Sequence, residues 1–229
     1  MLCRMLSATG TAGEPQSYFH RPDIKDWARG LNLAEDANLT DILNAVHATA
    51  THGLSGIRVQ QHSFGFLMDT LRGFGETDPD RLTGAFGRTR FVWLRRRNKL
   101  AQAVSLLRAE QTGLWHRNAD GSDLERQPPE RQTGYDGHRI TRQIQDLEAA
   151  DRAWLNWFAD HGITPWSLTY EALVDDPQMA LRMILMHLGR DGDIADKIDV
   201  QTAKLADSTS ADWIARYRAD PLAHPDYSG

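Results

Sequence analysis

The stretch FVWLRRRNKLAQAVSLLR, residues 91–108, decides how the chain is read. Its first four residues, Phe91, Val92, Trp93 and Leu94, are apolar without alternation, as in a strand buried on both faces of a parallel sheet. Three arginines follow, Arg95, Arg96 and Arg97, and then Asn98, a suitable helix cap. Beyond it Leu100, Ala103, Val104 and Leu107 recur at three- and four-residue spacing, the mark of an amphipathic helix. The segment therefore predicts strand, turn and helix, with cations gathered at the strand's carboxyl end. Ligands of open α/β sheets bind beyond that end, and a guanidinium grips phosphate in a planar, two-pronged geometry. The pattern points to a phosphate site with Ser105 two turns along the helix. The competing reading is a solvated turn paired with a carboxylate.

Working outward, Leu2, Met5 and Leu6 give a short helical stripe that ends at Gly10. Residues 10–22 hold Gly13, Pro15, Tyr18, Phe19 and His20 and read as a structured loop. Leu39, Ile42, Leu43 and Val46 mark an amphipathic helix, GIRVQ (residues 56–60) a short strand, and residues 64–71 a further helix. On the other side, residues 116–134 are almost without apolar side chains and read as a long surface loop. A long helix follows over residues 136–161, with Ile140, Ile144, Leu147, Trp154 and Phe158 in one stripe that Asp151 interrupts. PWSLTY (residues 165–170) is a strand candidate, residues 179–188 a helix closed by Gly189, and residues 213–218 a last helical piece before a loose tail at 219–229. Alternating strands and helices predict one α/β domain over residues 1–229, three layers deep around a central, mostly parallel sheet.

The bulk numbers narrow the function. The chain has 229 residues, with 26 Lys+Arg against 31 Asp+Glu, and its net charge of −5 lacks the basic footprint that nucleic-acid binding needs. A small phosphorylated ligand fits the arginine turn better. Hydrophobic residues at 41% and charged residues at 25% describe an ordinary soluble protein. Cys3 is the single cysteine, so no internal disulfide forms, which suits a reducing compartment. No apolar run reaches the roughly 18 residues of a membrane span, and residues 1–9 are too short for a secretory signal. A cytoplasmic protein is expected. The nine histidines show no paired metal-ligand spacing such as H-E-x-x-H, so no metal is expected. The absence of a G-x-x-x-x-G-K-[ST] turn counts against phosphoryl transfer.

Three segments together resemble one family, the bacterial sulfotransferases of the trehalose 2-sulfotransferase type. ATGTAGEPQSYF (residues 8–19) is similar to the family's signature loop, RRRNKLAQAVSLLRAEQTGLW (95–115) to its phosphate-binding turn and helix, and TYEALVDDP (169–177) to its later strand and helix. The resemblance implies a P-loop-like sulfotransferase fold. It also implies transfer of a sulfuryl group from 3′-phosphoadenosine 5′-phosphosulfate to a hydroxyl of a small acceptor, a carbohydrate, without a metal. Arg96 matches the family's phosphate-binding arginine best, with Arg97 the alternative if the turn is one residue tighter. Ser105 matches its phosphate-binding serine, and Lys204 a basic position before the closing helix. On the acceptor side the resemblance and the spacing together single out Glu14, Arg58, Gln111 and Trp115. The last two, at i and i+4, are expected to share one helix face as an amide and a stacking surface.

The chain departs from the family pattern in two places. Family members begin with a strand and a Gly/Ser/Arg turn that cradles the 5′-phosphosulfate, and Met1 aligns just after that turn. The first strand is thus expected to be missing, at a cost in stability and catalysis, through a start codon placed too late, a truncation or degeneration. The second departure is Ser17, which stands where the trehalose enzymes carry the acid proposed as base. A serine does not accept a proton at neutral pH. Glu14 is the remaining carboxylate of the loop and is expected either to orient the acceptor or to replace the base, with His20 a weaker candidate. A non-catalytic nucleotide-binding or scaffolding protein of the same fold is the alternative. Aromatic surface at Trp154, Trp157 and Phe158 points to a homodimer.

Overall fold

In a computed structural model, residues 1–117, 123–126, 134–199 and 208–220 are described. The elements run α1 (Leu2–Ala8), α2 (Ile24–Gly30), α3 (Leu39–Ala48), α4 (Gln61–Thr70), α5 (Asp78–Phe86), β1 (Val92–Arg95), α6 (Lys99–Thr112) and β2 (Leu114–Arg117). They continue with β3 (Asp123–Arg126), α7 (Gly137–Asp160), β4 (Trp166–Thr169), α8 (Tyr170–Asp175), α9 (Pro177–His187) and α10 (Ser208–Ala219). The apolar run at residue 91 forms the expected strand one residue later, and PWSLTY forms its partner. β1 and β4 pair in a small parallel sheet, and helices make up most of the rest. The fold is mixed α/β, with a smaller sheet than the alternation of elements suggests.

Two expectations about strands are corrected. GIRVQ forms no strand: Ile57 makes one parallel bridge to Gln16, and the Arg58 N–H donates to the Gln16 carbonyl at 2.9 Å. A single bridge arises because Gly56 and the loop at 10–22 meet once and then diverge. Conversely, the polar segment at 116–134 is not all loop, since β3 within it pairs antiparallel with β2 through an irregular register. Its polar composition hid a hairpin whose strand signal is not apolar. The remainder of that segment, the tail from 221 and Lys204 lie outside the described residues.

The chain divides into two compact units. The first comprises Met1–Leu94, Trp154–Leu168 and Ala172–Asp199 and holds two apolar clusters. In one, Leu2, Met5 and Leu6 of α1 pack with Leu168 of β4 and with Leu181, Ile184 and Leu185 of α9. The helical stripe at the chain's start thus buries its apolar face, at about 1.5–3 kcal/mol per fully buried large side chain. The other gathers Phe19, Trp27, Ile42, Val46, Leu67 and Leu71, all but solvent-free. Trp154, Trp157 and Phe158 are consumed within this unit. Trp157 meets Phe64 and Phe91 edge to face at 5.1 and 5.5 Å between centroids and donates its indole N–H to Asp78 at 3.0 Å. Rings packed in their own core give this surface no further argument for a homodimer.

The second unit comprises Arg95–Ala153, Thr169–Glu171 and the chain from residue 200 onward. Its core joins Ala103, Val104 and Leu107 of α6 to Ile140 of α7 and to Trp213 and Tyr217 of α10. The Asp151 that breaks the α7 stripe is explained here. Its carboxylate lies 2.6 Å from the Lys99 ammonium in the first turn of α6, with both side chains mostly covered. An acid in an apolar stripe is tolerated when it is paired in this way.

Candidate functional site

The turn between β1 and α6 is built by its own residues and by one carboxylate from elsewhere in the sequence. Asn98 caps α6 as expected, its side-chain oxygen accepting the Ala101 N–H at 2.9 Å. Glu171, in the first turn of α8, then straddles the turn. Its two oxygens accept the backbone N–H groups of Arg97 and Asn98 at 3.2 and 3.1 Å. Burial by itself pushes the Glu171 carboxyl up. The two N–H bonds, its own backbone N–H and the Arg97 charge outweigh that, and hold it below the usual carboxylate range.

The three arginines separate by environment. Arg95 and Arg97 are exposed, and the Arg97 guanidinium stays 3.9 Å from Glu171 with 68% of its side chain in solvent. Arg96 is half-buried. Its guanidinium lies over the ring of Tyr170, 4.6 Å from the centroid, and its buried Nε finds no hydrogen-bond acceptor. A stacked guanidinium is fixed in direction. An unsatisfied buried N–H on it is costly unless an acceptor arrives, so Arg96 is the arginine poised for an anion. Ser105 is half-buried on α6 in the same unit and, among the described residues, its hydroxyl has no partner.

The other sequence expectations in this unit fare differently. α6 stops at Thr112 because Gly113 takes a left-handed conformation, φ 70°, at its carboxyl end. Trp115 therefore stands on β2, not one turn beyond Gln111, and the expected shared helix face does not form. Gln111 is 4% exposed and clamps Gly134, receiving its N–H at 2.8 Å and donating to its carbonyl at 2.9 Å. That clamp gives the amide a structural task.

In the first unit, the loop at 10–22 is held by backbone approach. Gly13 has φ 68°, and a Cβ there would lie 2.6 Å from the Leu54 carbonyl oxygen, so only glycine fits. Its N–H donates to the Thr51 hydroxyl at 2.7 Å, and the Tyr18 hydroxyl donates to the Glu14 carbonyl at 2.6 Å. The Glu14 side chain itself is exposed, as is that of Arg58 on the neighbouring segment. Ser17 and His20 line one cleft of about 440 Å³ with Gln16, Tyr18, Arg21 and Trp27; Glu14 does not. Gln60 donates to the Ser17 hydroxyl at 2.8 Å, and its Oε1 is buried without a partner of good geometry. His62 faces His20 edge to ring at 4.9 Å and meets the His20 carbonyl at 3.0 Å. Burial lowers the His20 pKa, the Gln60 amide works against this, and His62, Arg58 and Arg21 add to the lowering.

Together these groups set a stacked guanidinium with an unpartnered N–H in one unit and a polar cleft with an imidazole in the other. Tyr170, Glu171, Gln60 and His62 escape a reading of the sequence. Tyr170 and Glu171 do lie in the TYEALVDDP segment, but nothing in its spacing assigns them to a turn more than 70 residues upstream. Among the described residues no three His, Cys, Asp or Glu side chains gather as a metal ion requires, and no helix is long and apolar enough to cross a membrane.

The sequence as a whole is similar to known proteins. The sequence profile described as Stf0 sulphotransferase matches residues 1–220. A trehalose 2-sulfotransferase from Mycobacterium tuberculosis is 26% identical over 250 residues, covering 96% of this chain and 90% of that protein. One from Mycolicibacterium smegmatis is 24% identical over 251 residues, with the same coverage.

Proposed function

The chain belongs to the Stf0 sulphotransferase family, an enzyme family, and on that premise we propose that it transfers a sulfuryl group from 3′-phosphoadenosine 5′-phosphosulfate to a hydroxyl of a small carbohydrate. The observation that carries the reading is Arg96, stacked on Tyr170 at the carboxyl end of β1 with a buried N–H awaiting an acceptor. A phosphate is an acceptor of the right charge and shape for that fork.

In this reading the donor supplies an activated sulfuryl group, and the protein supplies position and charge. Arg96 grips the 3′-phosphate in a fixed plane, and the unpartnered Ser105 hydroxyl adds one neutral hydrogen bond. Glu171 holds the turn's N–H groups, so the phosphate is recognised by side chains and not by that stretch of backbone. Glu14 and Arg58, exposed on adjoining segments of the first unit, contact the hydroxyls of the acceptor. Reactions of this kind resemble phosphoryl transfer in depending on in-line positioning and on cations.

The test is transfer of radiolabelled sulfate from the donor to a panel of mono- and disaccharides that includes trehalose. Labelled sugar that depends on the protein is the expected result. Absence of transfer to every sugar, with the nucleotide product still bound, would leave a nucleotide-binding protein without the activity.

A further inference from the structure

Tyr170 and Glu171 reach the arginine turn by way of the small sheet. β1 and β4 pair in parallel, with the Trp166 N–H donating to the Phe91 carbonyl at 2.9 Å. Paired strands rise equally per residue, so residues 170 and 171 come level with 95 and 96 where the strands end. The Tyr170 ring then lies against the Arg96 guanidinium, 4.6 Å from ring centroid to guanidinium carbon. We propose that Tyr170 is a positioning residue of the nucleotide site, whose ring holds the Arg96 guanidinium in the plane that receives the 3′-phosphate. The inference rests on the sulfuryl-transfer reading above, and it adds a residue that acts on the ligand only through Arg96.

The kind of contact matters. A carboxylate beside Arg96 would fix the side chain by taking its N–H groups, and with them the donors that a phosphate needs. Arg182, closed off by Asp193 and Asp196, and Arg139, paired with Glu110, are fixed in that way. An aromatic face instead holds a guanidinium by its flat side and leaves the N–H groups at its edge free to donate. Glu171, next in sequence to Tyr170, is an obvious carboxylate for Arg96, yet its two oxygens accept from the backbone N–H groups of Arg97 and Asn98 at 3.2 and 3.1 Å. Arg96 is thus left with a ring beneath it and a buried Nε without an acceptor.

The ring also changes when the side chain is ordered. A free arginine samples many rotamers, and fixing it as a ligand arrives costs affinity. Stacked on Tyr170, Arg96 is ordered during folding, so the cost falls outside the binding step. Both side chains are half-buried, which makes the contact stronger than one in open water.

The experiment is calorimetric titration of two nucleotides, adenosine 3′,5′-bisphosphate and adenosine 5′-monophosphate, which lacks the 3′-phosphate. The proteins are the parent chain, Tyr170→Leu, Tyr170→Phe, Arg96→Ala and the double variant Y170L/R96A. Tyr170→Leu is expected to weaken the bisphosphate about 5- to 30-fold and the monophosphate less than about twofold. Tyr170→Phe, which keeps the ring, should hold the bisphosphate affinity within about threefold of the parent. In the Arg96→Ala background Tyr170→Leu should change the affinity less than about twofold, because the ring has nothing left to position. Both nucleotides meet the same sample, so any unfolded fraction lowers the stoichiometry and not the ratio of the two affinities. Unchanged bisphosphate affinity in Tyr170→Leu, equal weakening of both nucleotides, an equal loss in Tyr170→Phe, or a full effect without Arg96 each overturns the role of the ring and leaves Arg96 as the phosphate ligand. Undiminished binding of the bisphosphate by Arg96→Ala overturns the site itself, and this inference with it.

Discussion

Arg96 and Arg97 are neighbours in sequence with opposite situations, and Glu171 is the reason. By taking the N–H groups of residues 97 and 98, its carboxylate closes the turn and faces Arg97 outward, while Arg96 settles on Tyr170. Glu171→Ala leaves two turn N–H groups without their charged acceptor, and is expected to cost about 1–3 kcal/mol in urea unfolding. The contribution also has a pH signature. The carboxyl is held below its ordinary value in the folded chain, so its stabilisation is complete above the unfolded pKa and disappears as pH falls through the lower folded one. The gap in stability between the parent chain and Glu171→Gln should therefore narrow on acidification. Of this arrangement the sequence disclosed the cluster of cations and the Asn98 cap, because both are local. It left Arg96 and Arg97 as alternatives, because what separates them is a residue more than 70 positions away.

At the scale of elements, α6 is framed by two local signals that act on different physics. Asn98 satisfies an amino-terminal N–H, and Asn98→Ala should cost about 1 kcal/mol. Gly113 ends the helix in a left-handed conformation, and Gly113→Ala should cost about 1 kcal/mol or more by forcing a side chain into that region. Thermal unfolding of the two variants checks both values. Apolar periodicity made α1, α3, α4, α6, α7 and α9 legible, an unbroken apolar run revealed β1, and the short segment PWSLTY gave β4 as a strand candidate. The short helices α2 and α5 went unread, although Thr77 and Asp80 form a capping box that announces α5. GIRVQ was misread because a five-residue apolar-polar alternation also suits a segment that touches a loop once. The missed hairpin of β2 and β3 has the opposite cause, since its backbone pairing does not depend on apolar side chains.

For the whole molecule, each unit carries a core of its own, so stability is expected to respond to lesions in either. Leu181→Ala in the first unit and Leu107→Ala in the second both remove fully buried side chains. Each should cost about 2–5 kcal/mol, read as a shift in the denaturation midpoint. The net charge of −5 means that the affinity for an anionic nucleotide must come from local cations and not from the molecule's overall field. The central claim is that Arg96 is the cation that grips the nucleotide. Calorimetric titration with adenosine 3′,5′-bisphosphate tests it most directly. Arg96→Ala should weaken binding roughly 10- to 100-fold, as loss of a charged hydrogen bond does, while Arg97→Ala changes it less than about threefold. Undiminished binding by Arg96→Ala would contradict the account.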